Sequence, residues 1–194
     1  MKRDVETLLT NLRTDHRNLA MLLDLLQKEA ERLEALEEPD YELVHDVMQY
    51  MTSYPDAVHH PREDLLYRHI LTVRPDANEN LQRVEADHEK IAKLGVKLRD
   101  DMDSIAAGAF IKRDVIIAEL RNYRETLLTH MYWEERELFS LADELLDDSE
   151  WSNIDLGGAD DRDPLFGSRV DRKFRRLMAD IQQRIVWDNQ QYFV

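Results

Sequence analysis

The chain has 194 residues, of which 43% are hydrophobic and 8% aromatic, enough for one domain with an appendage and too apolar for a disordered chain. Its formal charge of −15, from 26 basic and 41 acidic residues, argues against nucleic acid and anionic membranes as partners. Cysteine is absent, which excludes disulfides, thiolate zinc sites, iron–sulfur clusters and cysteine nucleophiles.

With only 5 Gly and 5 Pro, the elements must be long, and the periodicity makes them helices. The first is expected from Asp4 to Leu36, with the apolar stripe Val5, Leu8, Leu12, Leu19, Leu23, Leu26, Ala30 and Leu33. His16 fills the one gap in that stripe. A second helix begins at Asp40, an N-cap after Pro39, and carries Val44, Val47, Met48 and Met51. Pro55 and Pro61 must break or kink it before the pattern resumes at Leu65, Leu66 and Ile70. The third, Asp76 to Ala107, runs through Leu81, Val84, His88, Ile91, Gly95, Leu98, Met102 and Ile105. The fourth, Lys112 to Leu146, has Ile116, Leu120, Tyr123, Leu127, His130, Glu134, Leu138, Leu141 and Leu145 on one stripe.

After Asp147, Gly157, Gly158, Pro164, Gly167 and several aspartates mark residues 148–168 as a linker. A last amphipathic helix follows from Arg169 to Trp187, with Val170, Phe174, Leu177, Ile181 and Ile185 inward. Its basic face can dock on the acidic bundle or on a second copy of the chain, as a homodimer. The expected architecture is an all-α, up-down-up-down antiparallel four-helix bundle over residues 1–147, with an extra C-terminal helix in 148–194. The start of the chain lacks the apolar stretch of a signal peptide, and no apolar run reaches the ~20 residues that span a bilayer. A cytoplasmic protein is expected.

Histidines at core positions are common enough one at a time. Three stripes carrying one each, with carboxylates beside them, need another explanation. A buried, unpaired carboxylate is very costly, yet Glu63 and Glu134 both face inward on this reading. Each follows a histidine by four residues, His59 and His130, a spacing that stacks both side chains on one helix face. In an antiparallel hairpin, residues equidistant from the turn lie at one height. His16 and His59 are centred on Glu37 and Glu38, Glu63 and His88 on Pro75 and Asp76, His88 and His130 on Ala109, beside Gly108, and all three centres are expected turns. The six residues therefore fall in one layer. Imidazoles and carboxylates without sulfur suit iron, ahead of manganese or zinc, and six such ligands suit two ions bridged by glutamates.

The stretches Asp15-His16-Arg17-Asn18-Leu19, His59-His60-Pro61-Arg62-Glu63-Asp64-Leu65-Leu66, Asp87-His88-Glu89 and His130-Met131-Tyr132-Trp133-Glu134-Glu135 resemble the hemerythrin-like cation-binding family over about residues 4 to 147. The resemblance implies a non-haem di-iron site with His16, His59, His88 and His130 as terminal ligands and Glu63 and Glu134 as bridges. It implies binding or sensing of oxygen, nitric oxide or iron, or else a di-iron enzyme acting on peroxide or nitric oxide. Oxygen carriers of that family have a histidine where this chain has Val84, so one iron has an open position or takes Glu85, Tyr67 or Tyr132. His60 with Asp64 repeats the spacing of His59 with Glu63. The resemblance favours His59, leaving His60 outside the ligand set. His45 and His69 have no stripe partner and are expected in solvent, while Tyr132 and Trp133 are expected to pack.

Overall fold

The computed structural model describes residues 2–146 and 162–191; the expected core positions Val5, Leu81 and Ile185 lie outside the side chains described, and 148–161 of the expected linker lies outside altogether. All regular structure among the described residues is helical. In chain order the helices are α1 (Lys2–Glu34), α2 (Tyr41–Met51), α3 (His60–Val73), α4 (Asn78–Ala106), α5 (Arg113–Trp133), α6 (Phe139–Leu145) and α7 (Arg175–Gln191). α1 packs on α5 and α2, and α4 packs on α2, α3 and α5. No described helix is long and apolar enough to cross a membrane.

The ends of these helices follow local chemistry. Asp40 caps α2 by accepting from Leu43 N at 3.0 Å. Past the end of α4, Gly108 takes φ 89°, and Ala109 N donates back to Ser104 O at 2.9 Å. The equivalent place after α1 is held by Leu36 at φ 63°, with its side chain 77% exposed. A leucine there strains the backbone and buries nothing in return. Leu36→Gly is expected to raise stability by about 0.5–1 kcal/mol, read as a higher urea midpoint with an unchanged slope.

Two helices contain one stretched turn each. Pro55 and Pro61 have no N–H to give, and between them the chain widens into a π turn, Pro55–His59, closed by His60 N–H on Pro55 O. A second π turn, Glu134–Leu138, separates α5 from α6. Each admits an extra residue, so that neighbours in sequence both turn inward: His59 with His60, and Leu138 with Phe139.

Two apolar clusters fill the bundle. One holds Leu19, Leu26, Val47, Leu98, Leu120 and their neighbours; the other holds Leu12, Leu66, Val84, Leu138 and Phe139. In α1 the chain passes from one cluster to the other between Leu12 and Leu19, in α4 between Val84 and Ile91, and near the end of α5 between Met131 and Trp133. His16 and His88 lie in the first two intervals, and His130 and Glu134 flank the third. A polar layer thus separates two dry ones. Gly95 lies on the inner face of α4 for want of room: a Cβ there would sit 3.1 Å from Thr52 Cγ2 and 3.2 Å from Tyr123 Cε2.

The C-terminal helix docks on the bundle. Leu165, Phe174, Leu177 and Ile181 join the first cluster and are at most 3% exposed. Arg176 forks onto both oxygens of Asp46 at 2.6 and 2.7 Å, and Arg184 reaches the fully buried Glu29 at 3.2 Å. Its arginines therefore meet the acidic bundle, one of the two expected docking sites. His45 is not in open solvent but lies between Asp46 and Asp103, at 3.3 and 3.0 Å, and His69 is half-buried.

Candidate metal centre

All six residues expected from the sequence converge in the polar layer, and none is more than 8% exposed. Glu63 and Glu134 are completely buried at its middle. Glu63 Oε1 lies 3.2 Å from both His16 Nε2 and His59 Nε2, while Oε2 lies 3.4 Å from His88 Nε2. Glu134 Oε2 lies 3.2 Å from His130 Nε2 and 3.5 Å from His16 Nε2, and Oε1 lies 3.7 Å from His88 Nε2. Each carboxylate therefore spans two groups of imidazoles.

A seventh residue belongs with them. His60, expected outside the ligand set, is 5% exposed, stacks on His88 with ring centroids 4.1 Å apart and presents an unpartnered Nε2. Its ligand atom lies with those of Glu63, His88 and His130 within 4.8 Å of one another; His16, His59 and Glu63 form a second such group. His59 and His60 thus both turn into the layer, one in each group. A regular helix period carried across Pro61 allows only one of them inward, whereas the π turn admits both. No sequence period signals a π turn, although the pair of prolines bracketing a histidine pair is a visible warning of it.

Val84 lies at 0% exposure in the second apolar cluster. Of the residues expected to compensate for it, Glu85 pairs with Arg68 at the surface and Tyr132 is 65% exposed. Tyr67 is buried and donates its hydroxyl to Glu134 Oε1 at 3.1 Å. Trp133 packs, with the Arg83 guanidinium 4.0 Å above its ring; Tyr132 stays largely exposed, with only the Arg136 guanidinium over its ring at 5.4 Å among the described residues.

Each of the five histidines in the layer has a carboxylate on its Nδ1 side. Asp15 faces His59 at 3.1 Å, Glu135 faces His16 at 3.0 Å, Asp64 faces His88 at 3.3 Å, Asp56 faces His60 at 3.3 Å and Asp87 faces His130 at 3.8 Å. Glu135 and Asp15 are close enough to hydrogen-bond their imidazoles, and a carboxylate bonded to Nδ1 keeps the proton there and turns the Nε2 lone pair inward. Four of these acids neighbour an inner residue in sequence: Asp15 beside His16, Asp64 beside Glu63, Asp87 beside His88 and Glu135 beside Glu134. That adjacency was the sequence signal for them.

Burial opposes charge on His16, His59, His60, His88 and Glu63, and mutual attraction overrides it for all but His60. Burial pulls His59 down, but the Glu63 charge and the bond to Asp15 push it up to about 9. His88 is pushed up to about 11 against its burial by Asp64, Glu134 and Glu63. His16 is likewise held well above its usual value by Glu134, Glu135 and Glu63. Glu63 is held well below the carboxylate range despite burial, chiefly by the His59 charge and the imidazoles around it. His60 differs: burial takes it down to about 4, with His88 and His59 adding to the effect.

Several inner atoms are buried without a hydrogen-bond partner: Nε2 of His16, His60, His88 and His130, both oxygens of Glu63, and Oε2 of Glu134. Leaving so many polar atoms unsatisfied costs about 1–3 kcal/mol apiece. They converge on common points, which is the arrangement a cation satisfies. The chain matches the model of the hemerythrin HHE cation binding domain over residues 7–142.

It belongs to that family. None of the curated proteins or solved structures compared with the chain matches it. The matched hemerythrin domain carries every inner residue and every outer carboxylate of the site, and α7 lies beyond it. Membership in a cation-binding family and the buried His/Glu groups agree on metal binding.

Proposed function

We propose that the protein is a non-haem di-iron protein that binds or senses a small diatomic molecule. The observation that carries this reading is the pair of buried glutamates, each with its two oxygens turned toward different imidazoles. His16 and His59 would hold one ion and His60, His88 and His130 the other, with Glu63 and Glu134 shared between them. Imidazole and carboxylate donors suit iron, with manganese and zinc as competitors. Iron held there supplies reversible one-electron chemistry and affinity for oxygen or nitric oxide. In the same reading the long elements alternate up-down-up-down, with α2 and α3 forming one kinked arm.

The position opposite Val84 no longer has to be the open one, because His60 adds a third imidazole on the side of His88. The half with two histidines, His16 and His59, has fewer protein donors, and the open position belongs there. Phe139 lies flat against His16 at 5.3 Å, and Leu12, Leu66 and Leu138 of the dry cluster are fully or almost fully buried. Apolar cover of this kind excludes water, favouring a neutral diatomic ligand over a polar substrate.

The test is to express the protein with iron, reduce it without air, and mix it with oxygen and with nitric oxide. About two irons per chain are expected, following the di-metal ligand count, together with a spectroscopic adduct that reverses when the gas is removed. Sustained turnover of peroxide or nitric oxide would instead favour an enzyme of oxidative or nitrosative defence. A protein that takes up no metal would contradict both readings.

A further inference from the structure

The five outer carboxylates are not equivalent. The side chains of Asp56, Asp64, Asp87 and Glu135 are 29%, 24%, 31% and 44% exposed, so water screens them. Asp15 is only 10% exposed. A carboxylate–imidazole bond in such low-dielectric surroundings acts more strongly on its partner. Asp15 is also the one of the five that a tyrosine addresses. Tyr54, itself buried, donates its hydroxyl to Asp15 Oδ2 at 3.1 Å, and His59 Nδ1 donates to that same oxygen at 3.1 Å.

Two donors on one oxygen compete. The more electron density Tyr54 draws from Asp15, the less Asp15 pulls on the Nδ1 proton, and the weaker a donor His59 Nε2 becomes. The ring of Tyr54 is held in turn by Tyr50, one helical turn earlier, with centroids 5.8 Å apart. Tyr50 donates to Asp163 Oδ2 at 3.1 Å and packs edge-on against Phe166 and Phe174. Asp163 Oδ1 accepts from Leu165 N and Phe166 N at 2.8 and 2.9 Å. These last residues lie beyond the part of the chain that matches the family.

We propose that Tyr54 is a positioning residue for the two-histidine half of the centre, setting the donor strength of His59 through Asp15, with Tyr50 and the C-terminal segment holding it in place. This rests on the two-metal reading. It gives the segment beyond the matched domain a role at the site itself: it fixes the phenol that weakens one ligand and so raises the tendency of the neighbouring metal to stay reduced.

The experiment uses the full chain loaded with ferrous iron, with iron per chain measured first and the ratio of oxidised to reduced centre then read at one fixed applied potential. Tyr54→Phe keeps the shape and removes the donor. It should retain the iron of the unaltered chain and raise the oxidised-to-reduced ratio about threefold or more, for loss of part of one hydrogen bond's worth of stabilisation. A 3-fluorotyrosine placed at position 54 has a more acidic phenol, donates more strongly and should lower the ratio. A merely structural role gives no such opposed pair of shifts. Should Tyr54→Phe fail to fold, the fluorinated chain decides alone. Full iron content with an unchanged ratio in either chain overturns the proposal. Absence of iron from the unaltered chain is a different result: it removes the two-metal reading, and the proposal with it.

Discussion

Glu63→Ala should strip the protein of its metal, taking bound iron from about two per chain to about none. Glu63 belongs to both groups of converging ligand atoms. Its Oε1 faces His16 and His59 and its Oε2 faces His88. Alanine therefore removes a donor from each half at once, together with one of the two negative charges that balance the ions. The effect reaches stability as well. A metal present at about a thousand times its dissociation constant stabilises the folded state by about 4 kcal/mol, and each kcal/mol moves the melting temperature of a chain this size by about 2–4 °C. Iron should thus raise the melting temperature of the unaltered chain by about 8–16 °C and leave that of Glu63→Ala unmoved. Two irons retained by Glu63→Ala would mean that the carboxylate is not a ligand.

Removing the chain after Leu146 should abolish cooperative folding or take most of the stability. Leu165, Phe174, Leu177 and Ile181 are each at most 3% exposed and share a cluster with α1, α2, α4 and α5. Burying four such side chains contributes at most about 6–12 kcal/mol, against a total stability of about 5–15 kcal/mol for an ordinary domain. Electrostatics act in the same direction. Glu29, at 0% exposure, would lose Arg184 and keep only Arg32 and the Asp40 N–H. Asp46 would lose the Arg176 fork that holds its carboxyl below the usual value against the effect of burial. A urea titration followed by near-ultraviolet circular dichroism reads the result. A shortened chain with a sharp transition at nearly the original midpoint would show that the bundle needs no C-terminal helix.

The helices and their turns were legible because long apolar stripes leave little choice of face, and because Asp40 and Gly108 carry their turn chemistry in their identity. His16, His88, His130 and Glu134 were legible for a related reason: each interrupts a stripe, and a core tolerates such an interruption only with a partner; His59 and Glu63 were legible from their four-residue spacing and from the turn midpoints. Reading failed where periodicity itself fails. The π turn at Pro55–His59 shifts the phase of the helix, which brought His60 inward. One partner of His45, Asp103, comes from α4, and no spacing within α2 reveals it. Docking of α7 was anticipated from its amphipathic face and its charge; the Arg176 fork onto Asp46 and the Arg184 bond to Glu29 depend on which acids the fold leaves uncovered. Tyr50 and Asp163 are 113 positions apart, a distance that no local pattern bridges.

The most direct measurement is anomalous scattering at the iron edge from crystals of the iron-loaded protein. Two peaks should appear between Glu63 and Glu134, separated by about 3.5–4 Å as in other paired-metal sites. One should be flanked by His16 and His59 and the other by His60, His88 and His130. A single peak, or two peaks with His60 turned away from both, would contradict this account of the site.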